Sequence, residues 1–263
     1  MILRAVEQGG GAPVALLHGL FGQGANFGTL ARRLAARARV IALDLRNHGH
    51  SPHAAAMSYK AMAEDVLETL RERAALPCAL LGHSMGGKVA MMATLEAPGA
   101  VHGLLVADIA PVRYPPAFTA ATTAIAAAMT ALPLAPSLTR AEADAALAAV
   151  ASAEVRGLLL QNLCLGAHPH WRIGLPAIAA ALPTLLDWPV VEAAPYAGPA
   201  LFVAGARSDL LREEYRPAIR ALFPAARFLT LKDAGHWLHA DQPEAFASVA
   251  EGFLTSLSDG RSG

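Results

Sequence analysis

Ala79-Leu80-Leu81-Gly82-His83-Ser84-Met85-Gly86-Gly87-Lys88 decides how the rest of the chain is read. Three apolar residues end on a glycine, a serine follows between glycines, and a helical run from Lys88 to Glu96 comes after. G-x-S-x-G in a strand–turn–helix setting is the pattern of a nucleophile elbow. Its glycines allow a turn tight enough to hold Ser84 in a strained conformation with its hydroxyl exposed. The backbone N–H of Met85, at the helix start, then points toward a developing oxyanion. In an isolated loop the same letters would carry little weight.

Outward from the elbow, short apolar runs recur. They are Val14-Ala15-Leu16-Leu17, Val40-Ile41-Ala42-Leu43, Ala79-Leu80-Leu81, residues 103–107, Ala200-Leu201-Phe202-Val203-Ala204 and residues 227–231. Continuous apolar runs suit strands buried on both faces of a parallel sheet. Helical stretches follow them, such as residues 59–73 with Met62, Val66, Leu67 and Leu70 on one stripe. Residues 26–34, 143–150 and 153–163 also read as helical. The alternation predicts an α/β class: a doubly wound, mostly parallel sheet. It breaks between Pro111 and Pro199, a stretch rich in Ala, Leu and Pro with no convincing strand. The expected organisation is a core of residues 1–111 and 200–263 with an inserted helical cap over 112–199. The tail, residues 256–263, reads as polar and frayed.

Composition narrows the function. The chain has 263 residues, 54% hydrophobic and 16% charged, enough for a sizeable core. Lys+Arg and Asp+Glu both number 21, so no net positive charge marks a nucleic-acid partner. Cys78 and Cys164 make neither a disulfide framework nor a metal-ligand spacing. The first seven residues lack the apolar stretch of a secretory signal. No charge falls between Arg113 and Arg140, but Pro115, Pro116, Pro133 and Pro136 interrupt that Ala- and Thr-rich stretch. It reads as amphipathic helices and not as a membrane span. A cytoplasmic location is expected, and the oligomeric state is left open.

A serine nucleophile needs a base, and the base an acid to orient it. His236, in Asp233-Ala234-Gly235-His236-Trp237 after the last strand, is the candidate base. Two aspartates compete for the acid in the order Ser…Asp…His. Asp209, within Gly205-Ala206-Arg207-Ser208-Asp209, is favoured because its strand lies nearer the histidine loop in the expected sheet order. Asp108 ends the preceding strand and is the alternative. The second oxyanion donor is expected from His18-Gly19-Leu20-Phe21-Gly22, as the amide of Leu20 or, second, of Phe21.

These segments, with Asp44-Leu45-Arg46-Asn47-His48-Gly49-His50-Ser51, Asp108-Ile109-Ala110-Pro111 and Gly235-His236-Trp237-Leu238-His239-Ala240, resemble the α/β-hydrolase superfamily. More narrowly they resemble its bacterial YbfF-type esterase group, related to mitochondrial abhydrolase-domain proteins. The matches run in order from Leu16 to Pro243. The resemblance implies an α/β-hydrolase fold with a helical cap and no cofactor. It implies an esterase acting on small-molecule acyl esters or thioesters, and it makes the Asp-Ile-Ala-Pro segment a credible source of the acid. One departure is that few residues precede Leu16 for the two strands usual in the superfamily.

The expected activity is that of a serine carboxylesterase on short- to medium-chain acyl esters, through an acyl-enzyme. A thioesterase or cofactor-free perhydrolase with the same triad is the alternative, and a low-turnover ligand-binding receptor is the rival outside enzymes. Phe21, His83, Trp171, Trp188 and Trp237 are candidates to shape the acyl pocket, and His83 also reads as packing beneath the elbow. His48, His50 and His53 read as a surface loop at the rim, with Asp44-Leu45-Arg46 fixing that loop by local ion pairing. His168-Pro169-His170 lacks the further ligands of a metal site. Gly82 to Val89 mimics a P-loop, but Val89 stands where Mg²⁺ needs a hydroxyl.

Overall fold

Apolar runs and punctuating glycines build a seven-stranded sheet, seen in a computed structural model that describes residues 1–259. Its strands are β1 (Ala5–Gln8), β2 (Pro13–Leu17), β3 (Arg39–Leu43), β4 (Cys78–His83), β5 (Val101–Ala107), β8 (Ala200–Gly205) and β9 (Ala226–Leu231). A two-residue hairpin, β6 (Leu163–Cys164) with β7 (His170–Trp171), lies outside that sheet. The order is β1-β3-β2-β4-β5-β8-β9, and all neighbours are parallel except β1 against β3. Strand β1 escapes a pattern search because Ala-Val-Glu-Gln is a four-residue, half-exposed edge. It supplies part of what looked missing before Leu16.

Alternate residues of β4 feed two cores. Cys78 and Leu80 join Met62 and Val66 of α2 (Tyr59–Glu72) and Val89 of α3 (Met85–Glu96). Ala79 and Leu81 join Leu30 and Leu34 of α1 (Gly28–Leu34) and Phe246 and Ala250 of α10 (Pro243–Asp259). Ser58 caps α2, its hydroxyl accepting from the Ala61 amide at 3.2 Å. Residues 256–259, expected to fray, close the last turns of α10, where Leu257 packs into the core. Residues 260–263 lie outside the described part.

Between β5 and β8 run α4 (Pro116–Ala131), α5 (Arg140–Leu147), α6 (Ala153–Leu160), the β6–β7 hairpin and α7 (Leu175–Leu185). The hairpin is strand content within a stretch where composition announced none. Beyond β8 come α8 (Arg216–Leu222) and α9 (Leu238–Asp241). Among the described residues no helix is long and apolar enough to cross a membrane.

The turn from β4 into α3 is set by two glycines. A β-carbon on Gly82 would sit 2.3 Å from the Gly86 carbonyl oxygen, and one on Gly86 would sit 2.2 Å from that of Leu17. Both contacts are with backbone, which cannot rotate away. Between them Ser84 takes φ +52° and ψ −122°, a conformation rare for a residue with a side chain. Gly82→Ala and Gly86→Ala are each expected to lose about 3 kcal/mol of stability or more. Urea unfolding measures this, and a wild-type midpoint in either variant would show the packing is looser than described.

Candidate active site

Ser84, His236 and Asp108 come together from the C-terminal ends of three strands. Ser84 follows β4 directly, Asp108 follows β5, and His236 lies in the loop after β9. His236 Nε2 is 3.1 Å from Ser84 Oγ, and His236 Nδ1 is 2.8 Å from Asp108 Oδ2. With Nδ1–H donating to the carboxylate, Nε2 is left to accept the serine proton. Asp108 is buried, itself at φ +53°, and its other oxygen accepts the Gly205 amide at 3.0 Å. The Ser208 hydroxyl donates to Asp108 Oδ2 as well.

Asp209 is not in this group, which corrects the expectation that favoured it. Its side chain is 73% exposed and lies 3.6 Å from Arg212. Strand β8 does neighbour β9, but it ends at Gly205. The chain then turns, Ser208 N–H donating to the Gly205 carbonyl, so Asp209 falls outside the turn while Ser208 points in. The flagged segment thus contributes through Ser208 and the Gly205 amide, which sequence reading missed. Asp108 needs no such excursion, because it is the first residue past its strand.

Met85 is the first residue of α3, so its amide has no partner within the helix. It lines the cavity with Ser84 and Leu20. Phe21, the second candidate donor, is excluded from that part: its N–H donates to His48 Nε2 at 3.1 Å. Phe21 takes φ +62° in a turn closed by the Gly22 amide on the Gly19 carbonyl at 3.0 Å.

His48, expected in a surface loop, is fully buried; His50 and His53 are exposed. Its Nδ1–H donates to the Arg46 carbonyl at 2.9 Å, leaving Nε2 as acceptor for Phe21. His18 is wired the same way, Nδ1 to the Gly19 carbonyl at 2.8 Å and Nε2 to the Leu45 amide at 3.0 Å. Asp44 forms no ion pair with Arg46, contrary to expectation. It accepts the Gly24 and His50 amides, while Arg46 pairs with buried Asp65 of α2 at 2.5 Å. His83, beneath the elbow, reaches the His236 carbonyl through Nε2 at 2.7 Å and stacks on the His236 ring. It therefore fixes the loop that carries the base.

The cavity over Ser84 holds about 250 Å³ and is walled mainly by apolar side chains, among them Ile125, Leu158, Leu159 and Leu210. Phe21, His83 and Trp237 line it; Trp171 and Trp188 are not among its lining residues. Trp171 donates from its indole to the Met129 carbonyl at 3.0 Å, and Trp188 packs on Tyr59, so both brace the 112–199 segment. Lys88, the lysine of the P-loop mimic, is buried and donates to the Val112 carbonyl at 3.1 Å and the Asp187 carbonyl at 2.7 Å. Burial holds its pKa down to about 7. His168 and His170 lie exposed in the β6–β7 hairpin.

A mostly parallel sheet with a serine on a strand–turn–helix elbow, an imidazole at its hydroxyl and a carboxylate behind defines a hydrolase built on the α/β scaffold. Comparison with known proteins agrees. Residues 14–249 match the alpha/beta hydrolase family. The chain is 39% identical over 252 residues to the sn-1-specific diacylglycerol lipase ABHD11 of Mus musculus, covering 92% of this chain and 80% of that one. It is 36% identical over 251 residues to the esterase YbfF of Escherichia coli strain K12, covering 95% and 96%. The solved structure of a marine microorganism esterase superposes with a TM-score of 0.91 at 35% identity, covering 96% and 99%. The chain belongs to the alpha/beta hydrolase family and is a carboxylic ester hydrolase of its esterase group.

Burial holds the pKa of His18 down to about 4, and burial with the neighbouring His18 holds that of His48 to about 3. In the unfolded chain both titrate near 6.5, so below that pH the unfolded state takes up protons the fold refuses. Their contribution is complete above about pH 6.5 and is lost as pH falls toward 4, by up to about 1.4 kcal/mol per pH unit for each histidine. Urea midpoints at pH 7 and pH 5 check this, and equal midpoints would contradict it.

Proposed function

We propose that the chain hydrolyses short- to medium-chain acyl esters by nucleophilic catalysis, with Ser84, His236 and Asp108 as the triad. The carrying observation is the continuous hydrogen-bonded line from Ser84 Oγ through both nitrogens of His236 to Asp108. His236 takes the serine proton as Oγ attacks the ester carbonyl. The amides of Leu20 and Met85 hold the oxyanion, each supplying about 3–4 kcal/mol of transition-state stabilisation. His236 returns the proton to the leaving alcohol, and a water it activates then frees the acid from the acyl-enzyme. Asp108 keeps the imidazole in the tautomer that makes Nε2 the base and stabilises its cation. An apolar cavity of about 250 Å³ supports a modest acyl group, since larger ligands occupy sites of about 300–1,000 Å³.

Hydrolysis of p-nitrophenyl esters from acetate to palmitate tests this reading. We expect activity that peaks at short or medium chains and falls by about 10⁴-fold or more in Ser84→Ala. A profile rising to palmitate would overturn the chain-length reading. A Ser84→Ala variant as active as wild type would overturn the mechanism. Asp108→Asn is expected to lower kcat by about 10⁴-fold while Asp209→Asn leaves it unchanged. The reverse pattern would return the acid to Asp209. A diacylglycerol and an acyl thioester belong in the same assay, the first because the mouse relative's name carries that substrate.

A further inference from the structure

The turn that carries Leu20 is gripped from both sides, and one grip comes from the segment between β5 and β8. On one side the Phe21 N–H donates to His48 Nε2 at 3.1 Å. On the other, Asn162, just ahead of β6, donates from its side-chain amide to the Phe21 carbonyl at 2.8 Å. Both side chains are buried. The backbone of Asn162 is itself held, its main-chain carbonyl accepting the Arg172 amide at 2.8 Å across the hairpin. The same segment adds Gly174 N–H on the Asn47 carbonyl at 2.8 Å, and Gln161 Oε1 accepts from Asn26 Nδ2 at 2.9 Å.

The peptide plane between Leu20 and Phe21 is what these grips affect. The Phe21 N–H and the Leu20 carbonyl belong to that unit, and the Phe21 carbonyl belongs to the next. Fixing the N–H on His48 and the carbonyl on Asn162 sets the rotation of Phe21 at φ +62°, a value a phenylalanine rarely adopts unaided. The Leu20 N–H shares its peptide unit with the Gly19 carbonyl, which accepts from Gly22 N–H at 3.0 Å and His18 Nδ1 at 2.8 Å, and a fixed Phe21 holds that unit from its C-terminal side.

We propose that Asn162 and His48 are positioning residues for the oxyanion hole, so that the segment between β5 and β8 completes the site as well as walling it. The proposal rests on the triad reading above. Oxyanion donors act through placement, and small displacements near reacting atoms cost about 10²-fold in rate. Neither side chain lines the cavity over Ser84, so substrate binding is expected to be largely unaffected when they are changed.

The experiment compares wild type, Asn162→Ala, Asn162→Asp, His48→Gln and His48→Leu in ester turnover, in fluorophosphonate labelling of Ser84 and in melting temperature. Asn162→Asp keeps the shape and replaces the amide donor by a carboxyl group that cannot hold the Phe21 carbonyl when ionised, and Asn162→Ala removes the donor outright; His48→Gln keeps an acceptor for Phe21 and serves if His48→Leu does not fold. Expected are kcat losses of about 10- to 100-fold in both Asn162 variants, with KM within about twofold. Labelling slows by the same factor, because phosphonylation also builds negative charge on the oxygen in the hole. His48→Gln retains most of the rate that His48→Leu loses. Folded Asn162 variants that turn over and label at wild-type rates overturn the proposal, as does a loss confined to KM. A wild-type protein that fails to label at Ser84 overturns the triad reading itself and the positioning roles with it.

Discussion

Strand β4 and helix α3 approach each other so closely that no side chain fits between Gly82 and Gly86. That contact turns the chain sharply enough to leave Ser84 outside both elements, at a backbone angle costing about 1–3 kcal/mol. The cost is met by the fully buried β4 and by an α3 buried along most of its length. A serine at a strand's C-terminal end is also a serine at a helix N-terminus. The Ser84 hydroxyl and the Met85 amide, the proposed nucleophile and first oxyanion donor, therefore arrive as one rigid unit on adjacent residues.

The remaining groups are placed by sheet order. Strand β5 lies beside β4, and β8 and β9 follow it. Asp108 and the His236 loop thus reach Ser84 from one side, and the His18–Gly22 turn after β2 reaches it from the other. Three buried neutral histidines hold these loops: His18 and His48 grip the oxyanion turn, and His83 grips the loop of the base. His18 and His48 each satisfy two backbone groups with the two nitrogens of one ring, one donating and one accepting, which only the uncharged form can do, and His83 gives a single N–H. Burial favours the uncharged form in all three.

The elbow, His236 and six of the seven strands of the large sheet were legible because each rests on local order: an apolar run, a glycine spacing, a histidine after a strand. The misreadings share a different cause. Chain order admits both aspartates and strand order favours Asp209, and only the turn after Gly205 separates a carboxylate facing solvent from a serine facing the site. His48 looked like a loop residue because its neighbours His50 and His53 are polar and exposed. Its burial depends on packing under Phe21, 27 residues earlier in the chain. Asn162 had no signal at all, since one polar residue among leucines says nothing about a carbonyl that reaches it from the far end of the sequence. Trp171 and Trp188 were drawn to the pocket by size, yet they brace the walls.

Lys88 joins the core to both ends of the segment above the site, because Val112 stands where that segment leaves the sheet and Asp187 where it begins its return. An uncharged amine carries two N–H groups, and two carbonyls are what Lys88 reaches. The mechanical tie therefore persists with or without the third proton. What that proton changes is the electric potential at the base of the acyl cavity, where Tyr59 and Tyr114 turn their rings to the nitrogen. With burial holding its pKa down to about 7, Lys88 brings a positive charge to a mostly apolar chamber on mild acidification, and its two carbonyl bonds need no new partner for it.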